Sequence, residues 1–93
     1  MKSRLHAHVG TIRQLEILLA VHDKGSIKEA AKALFLTQPT VSIQMKKLAE
    51  AMGSPLYNYT NRQVRFTDIG LELVKTAVEV LDSFARLDMA IGN

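Results

Sequence analysis

Apolar residues along this chain recur at helical spacing in four segments and alternate in a fifth. In the first, Ile12, Leu15, Leu18 and Leu19 form one stripe behind Thr11, which opens a capping box with Gln14; Gly25, just after Lys24, predicts a C-terminal cap. In the second, Ile27, Ala30, Ala31 and Leu34 share a face, Lys28, Glu29 and Lys32 take the other, and Ser26 with Glu29 predicts another capping box. The third runs from Thr37 to about Met52. Val41, Met45, Leu48 and Met52 follow there at steps of four, three and four, behind a Thr37 cap and a Pro39 whose fixed φ suits a first helical turn.

Gly53-Ser54-Pro55 then stops the helical pattern. Tyr57, Tyr59, Val64 and Phe66 alternate, which favours two short strands around a turn at Thr60-Asn61-Arg62-Gln63. Behind a Thr67 cap, the last segment predicts a helix to about Ala90, long for so small a chain. Its Leu73, Ala77, Val80, Phe84, Leu87 and Ile91 keep a heptad seam, with a second stripe of Val74, Val78, Leu81 and Ala85 about 100° around. One stripe covers the chain's own core and a second needs another surface, so a helix-to-helix homodimer is expected, with Leu81 joining the seam residues at its interface. The fold class expected is mainly α: a winged helix-turn-helix, with a three-helix core and a β-hairpin wing, followed by a long dimerisation or linker helix. The boundaries are residues 1–66 and 67–93.

The third helix carries the functional expectation. Away from its apolar face it presents Pro39, Thr40, Ser42, Ile43, Lys46 and Lys47, small or hydrogen-bonding near its start and cationic further along. A helix that reads DNA needs this order, because its first turns approach base edges while cations beside them meet phosphates. Gln38 can pair with adenine, Ser42 with several bases, and Pro39 and the Thr40 methyl can touch thymine methyls. Gln38, Pro39, Thr40, Ser42 and Ile43 are thus the expected base contacts. Thr37, Lys46 and Lys47 are expected at phosphates, and Lys28 and Lys32 either there or on a solvated face. Arg62, near the tip of the hairpin, meets DNA or remains a solvated turn residue.

Charge sharpens this picture. Residues 1–66 hold ten Lys/Arg against four acids, a surplus of six, whereas residues 67–93 hold two against five, a deficit of three. The front half suits a polyanion and the last helix does not. With no cysteine there is no disulfide or thiolate chemistry. His6 and His8 lack a third metal ligand, and His22 reads as an edge histidine at a helix end. Lys2 and Arg4 belong to an N-terminal arm that can touch phosphate without sequence preference. No acid, base and nucleophile converge in the sequence, no phosphate-cradling glycine loop is present, and no cofactor is implied, so an enzyme is not expected. No apolar run nears the ~20 residues of a membrane span and no secretory signal is visible, which predicts a cytoplasmic protein.

The run Ser26, Ala30-Ala31, Leu34, Thr37-Gln38-Pro39, Val41-Ser42, Leu48, Gly53, Pro55-Leu56-Tyr57, Arg62, Thr67 and Gly70 resembles the N-terminal domain of LysR-type transcriptional regulators, from about Thr11 to Ala90. Phe35 to Ser42 with Lys46-Lys47-Leu48 is further similar to the members that regulate carbon-fixation genes. The resemblance implies a dimeric DNA-binding domain that recognises an interrupted inverted repeat through the third helix and wing, paired through the last helix. Where the family has Phe-x-Arg, this chain has Tyr57-Asn58-Tyr59. Tyr59 therefore either donates to phosphate in place of the wing arginine or simply packs. The resemblance also implies an effector-binding α/β domain that is absent from this chain. Asn93 is expected to mark a break within a longer protein, and any small-molecule effector would act only through the missing part. The competing expectation is a protein-interaction module on the same scaffold.

Overall fold

The computed structural model describes residues 11–92. Four helices and one hairpin follow in chain order: α1 (Ile12–Lys24), α2 (Ile27–Leu34), α3 (Gln38–Met52), β1 (Tyr57–Thr60), β2 (Gln63–Phe66) and α4 (Asp68–Ile91). This is the mainly α, winged helix-turn-helix architecture expected from the sequence. Each helix starts on a hydroxyl that accepts a hydrogen bond from the backbone amide three residues on: Thr11 from Gln14, Ser26 from Glu29, Thr37 from Thr40 and Thr67 from Gly70, all at 3.0–3.3 Å. These bonds satisfy amides that have no partner inside a helix. The capping box at α2 is only half made, because the Glu29 carboxylate turns instead towards Lys32 Nζ, 4.0 Å away.

Helix α1 is the hub, packed against α2, α3 and α4. Its buried face is broader than the expected stripe and rotated from it. Gln14, Leu15, Ile17, Leu18 and Val21 are buried, while Leu19 is half-buried and Ile12, at the open end of the helix, is exposed. A helix enclosed on three sides buries a wider arc than one apolar stripe. Ala30 and Ala31 of α2, Val41, Met45 and Leu48 of α3, Leu56, and Leu73, Val74 and Ala77 of α4 complete the single core. The small alanines let α2 lie close to α1. The core thus runs across residue 67.

The strands pair antiparallel in the register Tyr57↔Phe66, Asn58↔Arg65, Tyr59↔Val64 and Thr60↔Gln63. Asn61 and Arg62 form the two-residue turn with φ of 51° and 62°. Two left-handed central residues give a turn whose twist matches that of the strands. The base of the wing is tied to α4 through Thr67, whose backbone amide donates to the Leu56 carbonyl and whose hydroxyl donates to the Pro55 carbonyl. Val64 N–H reaches the carbonyl of Gly25, linking the wing to the turn between α1 and α2.

Candidate nucleic-acid interface

Helix α3 is held from behind and open in front. Val41, Met45 and Leu48 are at most 1% exposed and fix its rotation about its own axis. Gln38, Pro39, Ser42, Ile43, Lys46 and Lys47 are all exposed, the Ile43 side chain by about half. Among the described residues the ion pairs are Arg13 with Glu16 and Lys32 with Glu29. Lys46, Lys47, Lys28, Arg62 and Arg65 have no counter-ion among the described residues, so their field is directed at solvent and at any polyanion that approaches.

Thr40 stands apart from the other candidates. It is half-buried on the α1 side of α3, and its hydroxyl lies 2.8 Å from that of the helix cap Thr37. Lys28 and Lys32 lie on the exposed face of α2. The α2–α3 connection turns through Phe35, which adopts φ 58° and donates its amide to the carbonyls of Ala31 and Lys32, while Leu36 N–H also returns to Ala31. These bonds close α2 and aim α3 across it. Phe35 itself is 95% exposed.

The wing stands beside α3 across an open groove of about 690 Å³, lined by Ser42, Lys46 and Ala49 on one side and Tyr57, Asn58 and Tyr59 on the other. Tyr59 is 60% exposed. Burial, followed by the neighbouring Tyr59, raises the pKa of the Tyr57 hydroxyl above its ordinary value. Tyr57 and Phe66 pack ring to ring, and Phe66 meets His22 edge-on with centroids 5.1 Å apart. His22 thus sits at the edge of the wing's support.

Helix α4 corrects part of the expected pairing seam. Leu73 and Ala77 are 3% and 0% exposed within the chain's own core, so they are not available to a partner. Val80 and Leu81 are half-buried, and beyond them Phe84, Leu87 and Ile91 are 53%, 54% and 75% exposed. One stripe therefore packs on its own domain in its first half and continues uncovered in its second.

Among the described residues, no group of three or more His, Asp or Glu could hold a metal ion, and no helix is long and apolar enough to cross a membrane. His6, His8, Lys2 and Arg4 lie outside the described residues. Sequence reasoning did not find the side-chain bond between Gln14, which is 8% exposed, and Gln44 on α3. The signal was present: Gln14 lies three and four residues before Ile17 and Leu18, a polar residue inside a buried arc.

A three-helix core that presents a cation-rich third helix beside a β-hairpin defines the class, a winged helix-turn-helix DNA-binding domain. The family is equally clear, since residues 12–71 match the model of the bacterial regulatory helix-turn-helix proteins of the lysR family, and the chain belongs to that family. It is 37% identical over 83 residues to the HTH-type transcriptional activator CmpR of Synechocystis sp., covering 89% of this chain and 27% of that protein. It is 39% identical over 71 residues to a probable RuBisCO transcriptional regulator of Emiliania huxleyi, covering 76% and 23%. The chain thus spans about a quarter of the length of these relatives, which are transcriptional regulators rather than enzymes. The HTH-type transcriptional regulator MetR of Haemophilus influenzae is a comparable match, 41% identical over 69 residues, covering 74% of this chain and 22% of that protein. Among solved structures, the CbnR_DBD-DNA complex matches with a TM-score of 0.80 and 29% identity, covering 86% of this chain and 92% of that one. The BenM_DBD/catB site 1 DNA complex matches with 0.81 and 28%, covering 86% and 90%.

Proposed function

We propose that two copies of this chain, paired through the uncovered half of α4, bind an interrupted inverted repeat in double-stranded DNA. Each α3 enters a major groove with Gln38, Pro39, Ser42 and Ile43 towards base edges and Thr40 at their margin. Thr37, Lys46 and Lys47, together with Tyr59 and Arg62 of the wing, meet the sugar–phosphate backbone, and Lys28 and Lys32 add a diffuse attraction from α2. Residues 1–66 supply the reading surface; within residues 67–93 the first half of α4 completes the core and the second half supplies assembly. The observation that carries this reading is the outward face of α3, where small hydrogen-bonding side chains stand beside unpaired lysines while the opposite face is locked in the core. Support comes from the similar CbnR and BenM domains, whose structures are described as DNA complexes. A chromosomal target carries a cytoplasmic location with it.

Selection of bound duplexes from a random pool at two salt concentrations tests the proposal. Enrichment of an inverted repeat supports base reading by a symmetric dimer, and its spacing gives the distance between the two α3 helices. A single half-site would retain the reading and remove the pairing through α4. Binding without enrichment that collapses with salt would reduce the basic face to a general polyanion patch.

A further inference from the structure

The groove beside the wing occupies one flank of α3, through Ser42, Lys46 and Ala49. At 3.6 residues per turn, Thr40, Gln44 and Lys47 lie on the opposite flank. They line a second notch of about 370 Å³ between α3 and the first turn of α1. Gln14 of α1, almost wholly buried, donates from Nε2 to Gln44 Oε1 at 2.7 Å. With that oxygen engaged, the Gln44 amide is oriented and its own Nε2 is left to meet a ligand. Lys47, one turn further on, is exposed and has no ion pair among the described residues. Arg13 closes the far side, its guanidinium anchored to the Leu34 carbonyl at 3.3 Å. No carboxylate lines the notch, so its chemistry suits an anion.

A helix with its side chains is about 10–12 Å across, and the major groove is about 12 Å wide. A helix seated there has the phosphates of one strand on each flank. We infer that the notch between α1 and α3 binds a backbone phosphate of the strand opposite the one met by the wing. Gln44 Nε2 and Lys47 Nζ are the donors, and Gln14 is the positioning residue that holds Gln44 ready. This inference rests on the DNA-binding reading proposed above. It would make α1 a part of the reading head and give the recognition helix a fixed contact on each side, which sets its depth and tilt in the groove.

The test uses the duplex selected above, prepared with a single uncharged methylphosphonate at each backbone position in turn. The protein is compared with Gln44→Ala, Gln14→Met and Arg62→Ala, all measured well below their melting temperatures. The expected result is one position on the strand opposite the wing where the neutral linkage weakens binding by about tenfold. That penalty should shrink severalfold in Gln44→Ala, where Lys47 alone remains, shrink less in Gln14→Met, and persist in full in Arg62→Ala. Because the readout is coupling to one phosphate, a general loss of stability in Gln14→Met would not imitate it. The inference is overturned if Gln44→Ala keeps the full penalty at every position, or if that strand shows no sensitive phosphate although the unmodified protein selects its site. Failure of the unmodified protein to prefer any duplex would instead overturn the DNA reading itself, and this inference with it.

Discussion

Phe35 is poorly matched to its position in two ways. A phenylalanine with φ 58° occupies a region that costs L-residues roughly 1–2 kcal/mol, and at 95% exposure its ring returns no burial. Phe35→Gly should therefore raise stability by about 1 kcal/mol, or about 4–8 °C in Tm for a chain of this size. A circular-dichroism melt with an unchanged or lower midpoint would mean that the ring has a folded-state contact after all. The candidate DNA contacts divide by the kind of loss they produce. Ser42→Ala should relax base preference at one position, costing about 1–3 kcal/mol on the selected site and nearly nothing elsewhere. Lys46→Ala should weaken all duplexes alike and lower the salt slope by about one phosphate; binding titrations on selected and scrambled duplexes separate the two. At this scale the helix caps were legible in the sequence, because a hydroxyl three residues before its amide is a local relation. The left-handed turns at Phe35 and Arg62 were not. Neither residue type favours that region, and the requirement comes from where the next element must go.

Among the elements, the junction between wing and α4 is close-packed. Gly70 lies in the first turn of α4 against the Leu56 carbonyl, so a Cβ there would overlap that oxygen and crowd the Phe66 ring. Gly70→Ala should destabilise the domain by about 1–3 kcal/mol, even though alanine is the better helix former, and should loosen the wing before the core. Melting together with amide exchange of β1 and β2 checks both parts; an alanine variant as stable as the parent, with equal protection, would show that the junction can yield. Periodicity identified every element here, yet it misjudged which surfaces meet. The seam of α4 was correctly read as apolar from Leu73 to Ile91, but a repeat in sequence does not say what covers it. Leu73 and Ala77 are covered by the chain's own core, and α1 buries an arc wider than its stripe because three elements surround it.

For the whole molecule, the division of α4 would make folding separable from the proposed pairing. Leu87 is 54% exposed in a single chain, so Leu87→Asp should leave Tm at low concentration nearly unchanged while shifting sedimentation from dimer to monomer. Binding to a half-site should survive, and the advantage of the inverted repeat should fall. A variant that stays dimeric would place the partner surface elsewhere; one that unfolds would mean that the end of α4 supports its own domain. The unbroken stripe has one more consequence. Because α4 is embedded in the same core that fixes α3, the two reading heads of the proposed pair would not adjust their separation independently of the helices that join them. The chain is 45 Å in its longest dimension. Opening a pair by about 10° at a pivot half that length away would change the separation of the two heads by about 4 Å, close to the 3.4 Å step between base pairs. The crossing angle of α4 with its copy would then work as a caliper, set once by a few side chains near Phe84 and read out as the number of base pairs between two half-sites.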